Sequence, residues 1–382
     1  MPDFLWTQEQ QDLQRSLREF AESELNNDLQ QRDSAGQFNA RGWQRCAEQG
    51  ILGLPLAAEY GGGGKDALTT AFALEGFGHG CRDNGLNFAI GAHLWGCAQS
   101  IQTFGSESQK QRYLPRLSSG ECMGALAVSE PGAGSDALGV NTTATRDGDH
   151  YRLNGHKIYI TNGPLAELVL VLAVVQAELG SLGLAVFALE RGCDGAVFSE
   201  PVQKMGLRTA AMGEITLTDC AVPAANLLGQ EGAGLAVFSH AMLWERSLIL
   251  APALGSQQRQ LESCVAYARE RKQFGKPIGD FQLVSSRVVD MRMRLETSRF
   301  YLYKAAWLLD RTKPAYEFSA MAKLAISEAW IASCQDAMQI HGGRGYLVEA
   351  GIERDLRDAF ASRLYSGTSE LQRQMIAQWQ GL

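Results

Sequence analysis

Leu126-Ala-Val-Ser-Glu-Pro-Gly-Ala-Gly-Ser-Asp136 is the stretch on which the reading of this chain turns. Three apolar residues run into a turn where Gly132 and Gly134 flank Ala133, and the hydroxyls of Ser129 and Ser135 stand on either side. The pattern is that of a strand ending in a glycine-rich turn. Glycines there remove side-chain bulk, so backbone N–H groups can come close to an anionic or polar ring edge. Ordinary loops carry such turns too, and the flanking sequence has to decide between the two.

Downstream, Asn141-Thr-Thr-Ala-Thr-Arg146, Tyr151-Arg-Leu153 and Lys157-Ile-Tyr-Ile-Thr161 read as short strands separated by the hairpin dipeptides Asp147-Gly148 and Asn154-Gly155. Leu168 to Val175 and Leu182 to Leu189 continue the strand pattern. Upstream, from Thr7 to Ser119, the period is helical: Gln10, Leu13, Leu17, Phe20 and Ala21 fall on one face, and Gly61 to Gly64 break the run. After Gly229-Gln-Glu-Gly232 the helical period returns in long segments, with Met291, Leu295, Ser298, Leu302 and Ala305 on one side of Asp290 to Leu309. The order predicts an α+β protein: an α-helical domain over 1–121, a β domain over 122–230 and a four-helix-type bundle over 231–382.

The 382 residues, 45% of them hydrophobic, suffice for a large core. A net charge of −7 gives no basic footprint, so neither nucleic acid nor an anionic membrane surface is expected as a partner. The opening Met1 to Leu17 lacks a basic region followed by an apolar stretch and a cleavage site, and a cytoplasmic location is expected. Eight scattered cysteines without a CxxC and six histidines without an HExxH predict reduced, mostly buried thiols and no protein-bound metal.

Four further stretches accompany the first in order: Gly155-His-Lys-Ile-Tyr-Ile-Thr-Asn162, Arg269-Glu-Arg-Lys-Gln-Phe-Gly-Lys-Pro-Ile278, Gln339-Ile-His-Gly-Gly-Arg-Gly-Tyr346 and Tyr365-Ser-Gly-Thr-Ser-Glu-Leu-Gln372. With Leu126 to Asp136 they make the chain resemble the acyl-CoA dehydrogenase family over essentially its whole length. The resemblance implies a β-barrel-like middle domain, FAD held between it and the C-terminal bundle, and a homo-oligomer, usually a dimer of dimers. It places Leu126, Val128, Ser129 and Ser135 at the isoalloxazine ring, with Tyr159 and Thr161 lining the flavin from a second strand. It places Arg271, Gln273, Phe274, Phe281 and Gln282 on the pyrophosphate and adenosine of FAD in a neighbouring subunit, with Gln339, Gly342 and Gly343 completing that cradle. Thr368 and Glu370 would meet the ring side, and Ser135 and Arg246 the substrate. An arginine beside close-packed glycine backbone is also what a diphosphate requires. Tyr159 stands where many relatives carry tryptophan and Ser129 where many carry threonine; a ring and a hydroxyl are kept.

Dehydrogenation of a thioester needs a base for the α-proton while the β-hydrogen leaves as hydride, and a carboxylate in a dry pocket suits the task. In many relatives a glutamate directly before the Gly-Thr of the last motif does this; here that residue is Ser366. A minority of the family carries the glutamate on an earlier helix, before an arginine, and this chain has Glu245-Arg246 there. The surroundings, Ala241-Met-Leu-Trp-Glu-Arg-Ser-Leu-Ile-Leu250, are otherwise apolar, so an acid at Glu245 is expected to be desolvated. The resemblance then gives the Ser366 backbone N–H the task of polarising the substrate carbonyl.

Met242 to Arg246, Tyr365 to Gln372 and Gly80-Cys-Arg-Asp-Asn-Gly-Leu-Asn87 also resemble a branch that oxidises prolyl or other acyl groups on a carrier protein's phosphopantetheine instead of on CoA. The bulk of Trp244 beside the base favours a small or cyclic acyl group. Electrons would leave to an electron-transfer flavoprotein or to oxygen. Two rival readings remain at this stage: a flavin-dependent monooxygenase on the same fold, which Glu245-Arg246 and the motif around Arg271 count against, and a catalytically silent flavoprotein, suggested by Ser366.

Overall fold

The computed structural model describes residues 6–311 and 315–382; Met1 to Leu5, part of the N-terminal stretch read above, lie outside them. The chain begins with helices. Helix α1 (Gln8–Glu24) is started by a capping box in which the Thr7 hydroxyl accepts from the Gln10 N–H, and it buries Leu17, Phe20 and Ala21. Helices α2 (Leu29–Ala35), α3 (Ala40–Glu48), α4 (Ala67–Gly80) and α5 (Asn84–Gly91) follow. Helix α4 is buried on all sides, pressed between α1 and a later helix so closely that a Cβ at Gly78 would stand 2.1 Å from the Pro252 carbonyl oxygen. Helix α5 runs without a break into a π-helical stretch, Ala92–Ala98, and on into α6 (Gln99–Phe104); α7 (Glu107–Ser118) closes the set with a second capping box at Ser106 and Gln109.

The middle of the chain is an eight-stranded sheet: β1 (Gly124–Ala127), β2 (Thr143–Asp147), β3 (His150–Thr161), β4 (Leu168–Val174), β5 (Leu184–Glu190), β6 (Ala196–Phe198), β7 (Met212–Pro223) and β8 (Leu227–Leu228). Its path is β6-β7-β3-β2-β4-β5-β8, with β1 parallel to β4. Strands β4 and β5 are buried on both faces, which is why they read as continuous apolar runs. Leu168, Leu170 and Leu172 pack toward the helices, while Val169, Val171 and Ala173 face the interior of the sheet with Tyr151, Phe187 and Ile215.

The structure departs from the hairpin expectation at one dipeptide. Asn154-Gly155 is no hairpin turn: β3 runs through it as one strand, with a shift of register against β7 between Leu153 and Gly155. The glycine answers a close approach, since a Cβ at Gly155 would lie 2.2 Å from Thr142 Oγ1, and Asn154 spends its side-chain oxygen on the Asp219 N–H at 2.7 Å.

The last third is helical again: α8 (Gly234–Leu248) and α9 (Ala251–Glu270), a small hairpin of β9 (Lys272–Gln273) and β10 (Lys276–Pro277), then α10 (Gln282–Leu309), α11 (Tyr316–His341), α12 (Ile352–Ala361) and α13 (Ser369–Trp379). Helix α10 buries Met291, Leu295, Ser298, Leu302 and Ala305, the face its period predicted. One core cluster runs through α1, α4, α9, α10 and α11, so the first and last thirds of the chain share an interior. All eight cysteines are free thiols, and Cys193 alone among them is not fully buried. Among the described residues no helix is long and apolar enough to cross a membrane.

The glycine-rich turn is fixed by an ion pair. Strands β1 and β2 occupy successive lengths of the same side of β4, with Ala127 opposite Val171 and Thr143 opposite Val174, and the chain from Val128 to Thr142 loops out between them. At its base the buried Glu130 carboxylate accepts from the Lys157 ammonium at 2.8 Å, from Thr142 Oγ1 at 2.5 Å and from the N–H groups of Asn141 and Thr142. Lys157 also donates to the Val128 carbonyl at 3.0 Å. Burial alone would raise the Glu130 carboxyl, yet Lys157, Thr142 and Asn141 together hold it below its ordinary value. Burial takes the Lys157 ammonium down to about 8 against the pull of Glu130. Removing one partner of such a pair leaves the other charge uncompensated, so Lys157→Met should lower stability by about 3–5 kcal/mol in denaturant unfolding. A loss below about 1 kcal/mol would mean that the backbone N–H groups alone satisfy Glu130.

Candidate active site

Helix α8 points Val237, Ala241, Glu245 and Leu248 inward. That stripe calls for apolar side chains, and a carboxylate on it is the exception that needs a reason. Glu245 is 9% exposed. Burial raises its carboxyl to about 7, with a hydrogen bond from Ser366 and the charge of Arg246 pulling the other way. Ser366 Oγ donates to Glu245 Oε2 at 2.7 Å, and Arg246 Nε donates to the Ser366 carbonyl at 3.1 Å. The two residues singled out for the base and the carbonyl contact are thus in direct contact.

Space for the carboxylate comes from the π-helical stretch. A Cβ on Gly96 would be 3.1 Å from Glu245 Oε1 and 3.1 Å from Leu126 Cβ, so Gly96, Glu245 and the strand carrying Leu126 converge. Asn162 fastens the strands to this helix, its Nδ2 donating to the carbonyls of Ala89 at 2.9 Å and Gly124 at 3.2 Å. The Gly124 N–H donates to His93 Nδ1 at 3.0 Å, and burial lowers that imidazole to about 4 and keeps it neutral. Trp244 stacks on Trp95 with centroids 5.7 Å apart, an aromatic wall beside Glu245.

Ser366 sits at φ +53° and Gly367 at φ +90°, so a serine holds a left-handed backbone position that glycine would take more easily. Four hydrogen bonds pin this turn. The Ser366 carbonyl accepts from Arg246 and from Gln372 Nε2 at 3.2 Å, while the Gly367 carbonyl accepts from Gln372 Nε2 at 3.0 Å and Lys323 Nζ at 2.8 Å. Among the described residues no protein group accepts from the Ser366 N–H. Tyr365, next in line, packs on Phe88 at 4.4 Å, and burial raises its phenol with the Glu245 charge as the second cause.

The residues matched to the flavin fall into two groups. Leu126, Val128, Ser129 and Ser135 lie on β1 and its loop, and the Ile158 N–H donates to the Ser129 carbonyl at 2.9 Å, which brings Tyr159 and Thr161 beside them. Tyr159 stands at φ +58° where β3 shifts register, and its ring is 67% exposed. A Cβ on Gly132 or Gly134 would meet nothing within 4 Å, so the loop faces open space. Thr368 caps α13, accepting from the Leu371 N–H, and Glu370 is exposed on its first turn.

The second group is at one end of the bundle. Phe274 and Gly275, at φ +51° and +81°, make the two-residue turn of the β9-β10 hairpin, and Phe274 is 94% exposed with Phe281 edge-on at 6.1 Å. Tyr267, one turn before Arg271, stacks on His341 at 4.4 Å, which sets the hairpin beside Gln339, Gly342 and Gly343. Both glycines face open space, and Arg271, Gln273, Gln282 and Gln339 are exposed. Among the described residues no hydrogen bond or ring contact within one chain joins this group to the first.

Three family domains match the chain: the acyl-CoA dehydrogenase N-terminal domain over residues 7–121, its middle domain over 125–220 and its C-terminal domain over 232–381. The chain belongs to the acyl-CoA dehydrogenase family. This family member is 46% identical over 341 residues to the L-prolyl peptidyl-carrier-protein dehydrogenase of Pseudomonas fluorescens, covering 89% of this chain and 90% of that one. The crystal structure of the prolyl acyl carrier protein oxidase AnaB superposes with a TM-score of 0.98 at 48% identity, over 99% of this chain and 100% of that one. PigA, solved with FAD and proline, gives 0.97 at 38% identity over 100% and 99%.

Glu130, Lys157 and Gln372 stand inside the quoted motifs without a role read for them, and Lys323 and Gly96 lie outside those motifs. Lys323 carried a signal, a lone cation in the apolar run Phe318 to Ile326, whereas Gln372 and Gly96 look unremarkable in text. Because Ser366 donates to the charged form of Glu245, Ser366→Ala should push that carboxyl further above about 7. Infrared titration of the carboxyl band that Glu245→Gln abolishes reads this directly; an unmoved or lowered midpoint would show that the hydrogen bond does not bear on the proton.

Proposed function

We propose that this family member is an FAD-dependent α,β-dehydrogenase of small acyl thioesters, acting on a prolyl-type group carried by a carrier protein's phosphopantetheine, with Glu245 as the base. The observation that carries the reading is the Glu245 carboxyl: buried among apolar residues, titrating near neutrality, and held by Ser366 beside Leu126. A base poised near working pH combines a usable fraction of carboxylate with a real drive to take the proton.

The residues fit the cofactor. Exposed Tyr159, the open backbone at Gly132 and Gly134 and the hydroxyls of Ser129 and Thr161 suit a planar polar ring, with Val128, Ser135, Thr368 and Glu370 around it. Arg271, Gln273, Phe281 and Gln282 with the open glycines 342 and 343 suit a diphosphate and its nucleoside. FAD, when bound, supplies the acceptor for the hydride that leaves the β-carbon. The separation of the two groups within one chain, and an exposed phenylalanine at the hairpin tip, favour a homo-oligomer in which the second group serves a neighbouring copy.

The chain's own part is proton removal and charge stabilisation. Glu245 takes the α-proton, and the unclaimed Ser366 N–H hydrogen-bonds the thioester oxygen as it gains enolate character. Arg246 fixes the turn through the Ser366 carbonyl, and Trp244 and Trp95 keep water from the carboxylate. The carrier-protein handle and the prolyl-type group rest on what the Pseudomonas relative and AnaB are named for, and on the aromatic wall. Reduced flavin would pass its electrons to an electron-transfer flavoprotein or to oxygen.

Purified protein mixed anaerobically with short, branched and long acyl-CoAs, and with prolyl and other acyl groups on a carrier protein, should lose its flavin absorbance with the carrier-bound prolyl group. Glu245→Gln should slow that bleaching on the order of 10²- to 10⁴-fold. The carboxylate is the active form and its folded value is about 7, so kcat/KM should fall tenfold per pH unit below that value and level off above it. Equal damage from Ser366→Ala and Glu245→Gln would remove the base assignment, and a flavin that no thioester bleaches would favour the silent or monooxygenase reading. Trp244→Gly should shift preference toward longer acyl groups; an unchanged profile across the panel would take away the role of the aromatic wall.

A further inference from the structure

Lys323 lies in the first third of α11 and is fully buried, with Nζ on the Gly367 carbonyl at 2.8 Å and 5.6 Å from the centre of the Tyr365 ring. Among the described residues no carboxylate comes within ion-pair distance, 4.0 Å, of its ammonium. Glu328 and Glu370 pull on it from farther away, and Arg246 pushes against it. Burying an ammonium without an ion-pair partner is costly, and a fold that needed only packing there would place an apolar residue. Burial, with the Arg246 charge second, brings its value down to about 7.

What this cation touches is the turn that carries the carbonyl contact. Lys323 from α11, Arg246 from α8 and Gln372 from α13 reach two successive carbonyls, those of Ser366 and Gly367, and between them occupy both. The turn is strained at Ser366, and strain of this kind persists only where the surroundings over-determine the backbone. With both carbonyl oxygens engaged by these donors, the peptide planes that follow Ser366 and Gly367 are set and the turn is held from its C-terminal side, while the Ser366 N–H, in the preceding peptide, stays unclaimed.

We infer that Lys323 is a positioning residue for the reaction: by holding the Gly367 carbonyl, with Arg246 and Gln372 on the Ser366 carbonyl, it fixes the left-handed turn that presents the Ser366 N–H to the thioester oxygen while Ser366 Oγ keeps Glu245 in place. The inference rests on the dehydrogenase reading. It adds a group outside all the matched motifs, acting on turnover and little on binding of the acyl group.

The experiment compares wild type with Lys323→Met and Lys323→Arg, each loaded with FAD, using a carrier-bound prolyl group and anaerobic stopped-flow. Lys323→Met should slow flavin bleaching by roughly 10- to 100-fold, the size expected when a transition-state contact is misplaced and not deleted. Its half-saturation should change less than about threefold, its FAD content should match wild type, and its melting temperature should stay the same or rise, because an unpaired buried charge has gone. Lys323→Arg, which keeps a donor, should recover most of the rate. Bleaching by Lys323→Met within about threefold of wild type overturns the inference, and so does a rate loss that follows a lowered melting temperature and is not recovered by arginine. Should Lys323→Met not fold, Gln372→Leu removes the other donor to the same carbonyl and must show the same slowed bleaching at unchanged half-saturation; a wild-type rate there overturns the inference. Wild type that bleaches with no thioester removes the dehydrogenase reading itself, and that result is in hand before any variant is compared.

Discussion

A carboxylic acid on the inward stripe of α8 has to be protonated or compensated, because water is not there to solvate its charge. Glu245 is balanced between the two. Burial favours the neutral acid, while Ser366 Oγ and the neighbouring Arg246 favour the anion, and the outcome is a group that changes state near neutral pH. Each surrounding feature bears on that balance. The π-helical stretch at Gly96 makes the space, the Trp95–Trp244 stack limits water, and the strained Ser366-Gly367 turn delivers the one neutral donor. A shift of the α8 register by one residue would turn the carboxyl out of the core stripe and dissolve the arrangement.

A second polar system keeps the sheet in register with this centre. Glu130 and Lys157 close the loop between β1 and β2 at its base, and Asn162 ties β1 to the end of α5. Both devices use buried polar groups with several partners each, which specify one geometry where apolar packing would tolerate several. The loop they anchor projects open glycines and the exposed hydroxyl of Ser135, so rigidity at the base coexists with access at the rim.

The order of helices, sheet and helices was legible because the hydrophobic period changes twice along the chain, near Cys122 and again after Leu228, and the buried face of α10 was legible from its spacing alone. Asn154-Gly155 misled, since a hairpin dipeptide and a glycine forced by the approach of Thr142 look the same in one dimension. Glu245 and Ser366 could be paired only through the family resemblance, and their contact is a fact of three dimensions. Lys323, Gln372 and Gly96 were missed because each acts on backbone or space contributed by distant elements, and no local pattern announces a hydrogen bond to a remote carbonyl.

The π-helical stretch also constrains how this chain can change length. Each residue of a helix advances the next by about 100°, and a π turn holds one residue more than an α turn. Deleting a single residue between Ala92 and Ala98 would let the segment relax to ordinary α-helix with its flanks still in phase, yet the angle and rise between His93 and Gly96 inside it would change. Either Gly96 would leave the carboxylate, or His93 would leave the start of β1. Single-residue insertions and deletions are therefore closed to this stretch, and the spacing between His93 and Gly96 is as much a part of the site as the side chains themselves.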